Sequence, residues 1–366
     1  MRVTVSAPGK LVLIGEYAVL FGHPALVMAA DRRARVDLRS NDGMSWRASA
    51  PGFCDGEALF DLDRDRGFAW RAPASAAACR LTLVESLLGS LVEAGLFDPV
   101  DLRPATVTLD TGDFFQPVGG GASKLGLGSS AALTVALTEA VRNWVPRELR
   151  RPGIGLAELL ELHRSFQGGR GSGIDLAASS RGGVVEYRLI GESKTPDARP
   201  AELPPDLVMV SVWTGRSAST SDFLARLEEG MRSDDGVIDA ALRELGRISS
   251  DGIDRIRSGD LNGFLDDVQR FVSSMEALGR AAGIPVLSNE HRMLKRLAED
   301  AGVSYKPSGA GGGDVGLGLT DDPEAAAVFA ARAEAKGFTP LDLRIDPDGV
   351  RVDRGRIDEP RVSATR

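Results

Sequence analysis

Three glycine-rich segments, spread along the whole chain, each hold a lysine: Lys10 in SAPGKLVLIGEY, Lys124 in KLGLGSSAA and Lys306 in KPSGAGGGD. The 366 residues contain only six lysines against 38 arginines, so half of the lysines stand in these segments. A lysine presents a compact point charge with a tunable pKa, whereas an arginine presents a planar fork. Glycine loops let backbone N–H groups approach a ligand closely. Together, the three segments predict a site for a polyphosphate and a second anion.

The length predicts two domains. Apolar residues make up 43% and charged residues 26%, ordinary for a globular chain with a sizeable core. A net charge of −8 gives no basic footprint for nucleic acid. Cys54 and Cys79 lack metal or redox spacing, which predicts a cytoplasmic protein without structural disulfides. The histidines His23, His163 and His291 are scattered. His291 reads as a helix-surface residue, and no zinc site is expected. The N-terminus has no secretory pattern, and no apolar run is long enough to predict a membrane span.

Strands and helices alternate without a strict βαβ order, which predicts the α+β class. VTVSA, KLVLIG and RARVDLR read as strands, residues 43–75 as irregular, and residues 76–95 as a single helix. TVTLD at 106–110 is a strand, and 111–125 a loop before a helix that starts at Ser129 or Ser130. Helices follow over 155–168 and from 172, then a strand at 184–189. Residues 191–205 are poor in apolar side chains, so the boundary is placed there: an N-terminal domain over 1–205 and a C-terminal one over 206–366. The second half opens on the strand LVMVSVW, continues with helices over 220–231, 235–257, 260–282 and 289–301, and ends with VGLGLT, a helix at 323–336 and the strand TPLDLRI. The charged tail from 346 is expected to fray.

LGLGSSAALTVAL carries the strongest local signal. Gly126 and Gly128 can adopt positive φ and expose N–H groups on either side of Leu127. The helix that follows aims its N-terminal amides and positive dipole end at the same spot. Ser129 and Ser130 add hydroxyls that can cap the helix, bind phosphate or ligate Mg2+, and Lys124 is close by. The same residues also describe an ordinary Ser-capped helix. The P-loop pattern is absent. A G-x-G-x-x-G/A pattern matches at Gly126, Gly128 and Ala131 and again at Gly311, Gly313 and Gly316, but neither copy sits in a strand–helix–strand unit with the required acid. A dinucleotide oxidoreductase is therefore the weakest reading.

Lys10 opens a strand, and Glu16 and Tyr17 close it, which would line one wall of a cleft. In GGRGSGIDLAASS, Asp175 stands just inside a helix after a flexible run containing Arg170. Asp175 and Lys10 together could handle a nucleophile. WTGRSASTSDF offers Arg216, Ser217, Ser219, Thr220 and Ser221 as donors for a second phosphate or carboxylate. They also read as a helix N-cap with ordinary loop serines.

In their order and spacing, these segments resemble the signature motifs of the GHMP kinases, across residues 6 to 319. GEYAVL, KLGLGSSAALTVA, GSGIDLAASSRGG, WTGRSASTS and YKPSGAGGGD are most similar to the phosphomevalonate kinase branch, with Tyr17 where mevalonate kinases usually carry His. The resemblance implies a ribosomal-S5-like N-terminal domain, a ferredoxin-like C-terminal domain, and ATP and substrate in the cleft between them. It implies that Lys124 and Gly126 to Ser130 wrap the ATP phosphates, and that Lys10 and Asp175 are the catalytic pair. Glu16, Tyr17, Arg216, Ser219, Thr220, Ser308, Gly309 and Gly311 would shape the acceptor site. Mg2+ would be held by Ser130 and, in place of an acid absent between Glu161 and Asp175, by Gln167. The expected substrates are ATP and mevalonate 5-phosphate, for a monomer or homodimer. Mevalonate or a sugar as acceptor, and a non-catalytic ligand sensor, are the alternatives. Intact Lys10, Ser130 and Asp175 speak against the sensor.

Overall fold

The computed structural model describes residues 1–353 apart from Met44, Gly120, Arg170, Asp234 and Asp235. Arg170, and with it the side chain of Ser221, thus lies outside the described residues.

Two long strands, β1 (Arg2–Ile14) and β2 (Ala25–Ser40), pair antiparallel and form the spine of the first sheet. The sequence predicts two strands on either side of Pro8–Gly9. The structure instead has one strand with a register shift at that pair. A bulge accommodates the proline without ending the ladder. Three short strands, β3 (Trp46–Ser49), β4 (Glu57–Asp63) and β5 (Gly67–Trp70), extend the sheet where the sequence reads as irregular. Their anchor is aromatic: Phe60 stacks on Trp46 and Phe68 and meets Trp70 edge-on. Four rings in one cluster supply the burial that the polar composition conceals.

The expected helix over 76–95 is two, α1 (Ala76–Arg80) and α2 (Thr82–Glu93), broken at Leu81. After β6 (Ala105–Asp110), the expected loop is a hairpin of β7 (Phe115–Val118) and β8 (Gly121–Lys124). Then come α3 (Ser129–Trp144), α4 (Leu156–Phe166), α5 (Ile174–Arg181), β9 (Val184–Ile190) and β10 (Thr195–Ala201). The free edge of β2 is shared, with β9 beside Ala25–Met28 and β6 beside Arg35–Ser40. β10 falls in the expected linker. It is an edge strand, where Pro196 and Pro200 are tolerated because one side of the ladder is free. α3 packs on β1 and β2 through small residues such as Ala132, Ala136 and Ala140, which are fully buried.

The second sheet contains β11 (Val208–Trp213), reached again after α6 (Thr220–Ser233), α7 (Val237–Ser258), α8 (Leu261–Ala281) and α9 (Asn289–Glu299) by β12 (Ser304–Pro307) and β13 (Val315–Thr320). α10 (Pro323–Ala335) leads to β14 (Thr339–Leu341). The order β12-β13-β11-β14 is antiparallel at every pair. β11 and β12 therefore run parallel with β13 between them, the split βαβ arrangement of ferredoxin-like sheets. The fold is α+β with two domains.

The C-terminal segment departs from expectation. β15 (Arg351–Asp353) returns to pair with β1, so the first sheet takes a strand from the far end of the chain. Asp346 does not fray: it is buried and ion-paired with buried Arg33, and Arg351 reaches it at 3.0 Å.

Candidate active site

β1 delivers Lys10 to the glycine loop because the two backbones touch. The Lys10 N–H donates to Leu127 O at 2.8 Å. Its Nζ reaches forward to donate to Gly126 O at 3.3 Å. Gly126 and Gly128 both have positive φ, 79° and 78°, and Gly128 is the residue before α3. A Cβ on Gly128 would meet the Lys10 side chain at 3.2 Å and Asp175 Cβ at 3.5 Å. Lys10, Asp175 and the start of α3 thus converge on one glycine that a larger residue would push apart. Asp175 stands in the first turn of α5, where its Oδ1 accepts the Leu176 N–H at 3.0 Å.

These residues face a cavity of about 770 Å3. Lys10, Lys124, Gly126, Gly128, Ser129, Ser130, Gln167 and Asp175 line it from the first sheet's side. Thr220, Gly309, Ala310 and Asp314 line it from the other. Glu16 and Tyr17 are also on its wall. One stretch is apolar, with Leu81, Leu83, Leu109, Phe115 and Leu133.

Other expected residues are committed elsewhere. Lys306, matched by sequence context with Lys10 and Lys124, does not face the cavity. It is fully buried, ion-paired with Glu16, and donates to Val12 O at 3.1 Å and Pro307 O at 2.6 Å. Burial pushes its pKa down, and the Glu16 charge opposes this. Glu16 Oε1 also accepts the Gly309 N–H at 3.1 Å, so the pair clamps the third glycine loop to the end of β1. Ser308 Oγ accepts the Val12 N–H at 2.8 Å and is buried. Leu127 is buried and contributes its carbonyl to Lys10. Gly311 packs against Val286. Arg216 pairs with Glu290 at 3.7 Å, and Ser219 Oγ accepts the Asp222 N–H at 3.3 Å in the first turn of α6. The structure does not bring Leu127, Arg216, Ser219, Ser308 or Gly311 to the cavity wall.

Tyr17 has φ 61°, a strained value for an aromatic residue, and its hydroxyl donates to Ala310 O at 2.5 Å. Burial pushes its pKa up, so it stays a donor.

His291 corrects the sequence reading: it is fully buried. Its Nε2 lies 2.8 Å from Gly313 O and its Nδ1 2.7 Å from Tyr305 Oη. A carbonyl can only accept, so Nε2 carries the proton and Nδ1 accepts from the tyrosine. Burial pushes the His291 pKa down to about 4. This neutral imidazole holds the end of the third glycine loop.

Sequence reasoning assigned no role to Asp314, whose signal is its place directly after GAGGG. It has φ 61° and presses on Gly126. Burial pushes its pKa up, against the Ala218 N–H and the charges of Lys10 and Lys124.

The cavity's possible metal donors are oxygens: the Ser130 hydroxyl, the Gln167 amide and the carboxylates of Asp175 and Asp314. That set suits Mg2+, which is commonly held by one or two carboxylates and substrate phosphates. No group of three or more His, Cys, Asp or Glu side chains able to hold a metal occurs among the described residues. The residues fit a cation that arrives with a polyphosphate better than one caged by the protein.

A glycine loop at a helix N-terminus, two lysines and two carboxylates around one large cleft supply the groups that phosphoryl transfer requires. The comparisons agree. The family described as GHMP kinases N terminal domain matches residues 119–183, from the glycine loop past Asp175. A mevalonate kinase of Thermococcus onnurineus is 30% identical, over 96% of this chain and 99% of its own length. A phosphomevalonate kinase of a Streptomyces species is 29% identical, over 94% of this chain and 97% of its own. The structure of Streptococcus pneumoniae phosphomevalonate kinase with phosphomevalonate and AMPPNP has the same fold, with TM-score 0.72 at 20% identity over 93% of this chain and 99% of that one. This chain belongs to the GHMP kinase family and is a kinase. No helix among the described residues is long and apolar enough to cross a membrane.

Proposed function

We propose that the protein transfers the γ-phosphoryl group of ATP to mevalonate 5-phosphate, giving the diphosphate. The observation that carries the catalytic part is the convergence of Lys10 and Asp175 on Gly128. In this reading the N–H groups of 126–130 and Lys124 hold the ATP phosphates. Ser130 and Gln167 would hold Mg2+, which would supply charge neutralisation for the phosphates. Lys10 places its ammonium between the transferring group and the acceptor oxygen, where charge is spread in the transition state. Asp175 orients the acceptor. Glu16, Tyr17, Thr220 and Gly309 shape the acceptor end.

The choice of acceptor rests on the family resemblance and on Tyr17, and the acceptor's chemistry is compatible with it. A phosphate monoester has a second pKa near 6 and arrives mostly ionised at neutral pH. It needs charge neutralisation and alignment more than a strong base. The stretch from Gln167 to Ile174 carries no acid, which leaves Asp175 as the acid of that segment on the cavity wall. The Streptomyces relative supports this acceptor, and the Thermococcus relative supports mevalonate itself. An ADP-release assay with mevalonate, mevalonate 5-phosphate and galactose in parallel decides. Turnover with mevalonate 5-phosphate well above the other two is expected. A preference for mevalonate replaces this reading with the mevalonate kinase one, and no turnover with any acceptor favours a ligand sensor.

A further inference from the structure

Asp314 is a carboxylate held over a loop meant for phosphates. Its backbone is fixed on both sides: its N–H donates to Arg216 O at 2.8 Å, and its carbonyl accepts from Thr214 N at 3.0 Å and Thr214 Oγ1 at 2.9 Å. The resulting left-handed conformation is one that Asp and Asn tolerate better than other residues with side chains. Oδ1 accepts the Ala218 N–H at 3.1 Å, which fixes the side chain. The carboxylate then fills the space where a Cβ of Gly126 would be. The bare backbone at Gly126 therefore admits an acid as well as a ligand.

The charges around the loop cancel. Lys10 and Lys124 bring two positive charges to the glycine loop; against them stand the carboxylates of Asp175 and Asp314, and both lysines and the Ala218 N–H favour the ionised form of Asp314 against the upward push of burial. An anion site with no net positive charge is a poor host for a free triphosphate. We propose that Asp314 is a specificity-determining residue that makes the loop reject metal-free polyphosphate and accept one whose charge a divalent cation has partly cancelled. This rests on the reading of residues 126–130 as the nucleotide phosphate loop.

The test is ATP binding by calorimetry to the full chain, once with excess Mg2+ and once with EDTA. Asp314→Asn is the variant of choice, because Asn keeps both the backbone conformation and an acceptor for Ala218. Wild type is expected to bind ATP at least about 10-fold more weakly in EDTA. In Asp314→Asn that ratio should shrink by about 10-fold, because metal-free ATP binds more tightly. Asp314→Gly, which suits a positive φ and removes the charge, should behave alike, and unfolding temperatures confirm that both variants are folded. An unchanged ratio overturns the inference, as does a ratio that shrinks only because Mg2+–ATP binding weakens. If wild type binds no ATP under either condition, the nucleotide reading falls and takes the inference with it.

Discussion

The Lys306 ammonium and the Glu16 carboxylate form an ion pair inside the protein, between the start of the third glycine loop and the end of β1. Lys306 has no exposed surface, and among the described residues its charge is met by Glu16 and the carbonyls of Val12 and Pro307. Glu16 Oε2 is buried with no hydrogen-bond partner among the described residues, so the carboxylate depends on its other oxygen. The pair acts as a pin between the two sides of the cleft.

Removing one half of a buried pair strands the other charge, at a cost of about 3–5 kcal/mol. Lys306→Met should lower unfolding free energy in urea by about that amount, and Glu16→Gln by a comparable one. Replacing both with apolar residues should cost less than the sum. A Lys306→Met variant of wild-type stability that has lost anion binding would restore the cavity-lysine role that the sequence suggested.

His291 gives the protein a signature in acid. Its folded pKa of about 4 lies below the ordinary value of 6.5, so the unfolded chain binds the proton first. Stability rises with pH wherever the unfolded state holds more protons. The contribution is full above about pH 6.5 and is lost as pH falls toward 4. It amounts to on the order of 3 kcal/mol. His291→Gln, which cannot titrate, should be less stable at pH 7 but lose less stability between pH 7 and pH 4. Equal slopes in denaturation curves across that range would show that His291 does not stay neutral in the folded protein.

How much was legible in the sequence follows from the range of the forces involved. The glycine loop and α3 are local: positive-φ glycines, then a run of small and apolar residues, and Ser129 begins the helix as expected. Lys10 and Asp175 stood out because each follows a glycine-containing break in the sequence, yet Lys10 lies inside β1, and its meeting with Asp175 at Gly128 is a long-range fact. Lys306 misled because a lysine beside glycines reads the same whether it faces a cleft or a core. All four residues of β12 are buried, which only the second sheet's packing reveals. His291 could have been found. It, Leu294 and Ala298 form a buried stripe at helical spacing on an otherwise polar helix. β15 and β10 were missed because edge strands carry little hydrophobic pattern of their own.

Ser130 and Asp175 separate loop chemistry from acceptor chemistry. Ser130→Ala should fold and lose about 10²-fold or more in turnover, as expected for one electrostatic contact to the transition state. Full turnover at saturating ATP and limiting Mg2+ would remove it from the site. Asp175→Asn keeps the size and removes the charge. If Asp175 orients an already ionised phosphate, residual turnover should persist and rise with pH through the acceptor's second pKa near 6. If a folded, ATP-binding Asp175→Asn protein is inactive at every pH, Asp175 is an obligatory base, and the orienting role is wrong.

Lys10 carries the sharpest prediction. Its ammonium is positioned from both ends: the backbone N–H is tied to Leu127 O, and Nζ reaches Gly126 O along the rigid strand β1. A Cβ on Gly309 would lie 3.4 Å from Nζ, so the third glycine loop closes over the ammonium from the other side. An arginine there would be longer and planar, and its fork would not fit the gap between two glycine loops. Lys10→Arg should fold and bind ATP with near-normal affinity, because in the proposed reading Lys124 and the loop amides still hold the phosphates. It should nevertheless lose most of its turnover, since the point charge at the transferring group is displaced. Turnover and ATP affinity measured on that one variant decide the matter: near-wild-type turnover would place Lys10 outside the chemistry, and a joint loss of affinity and turnover would make it a binding residue.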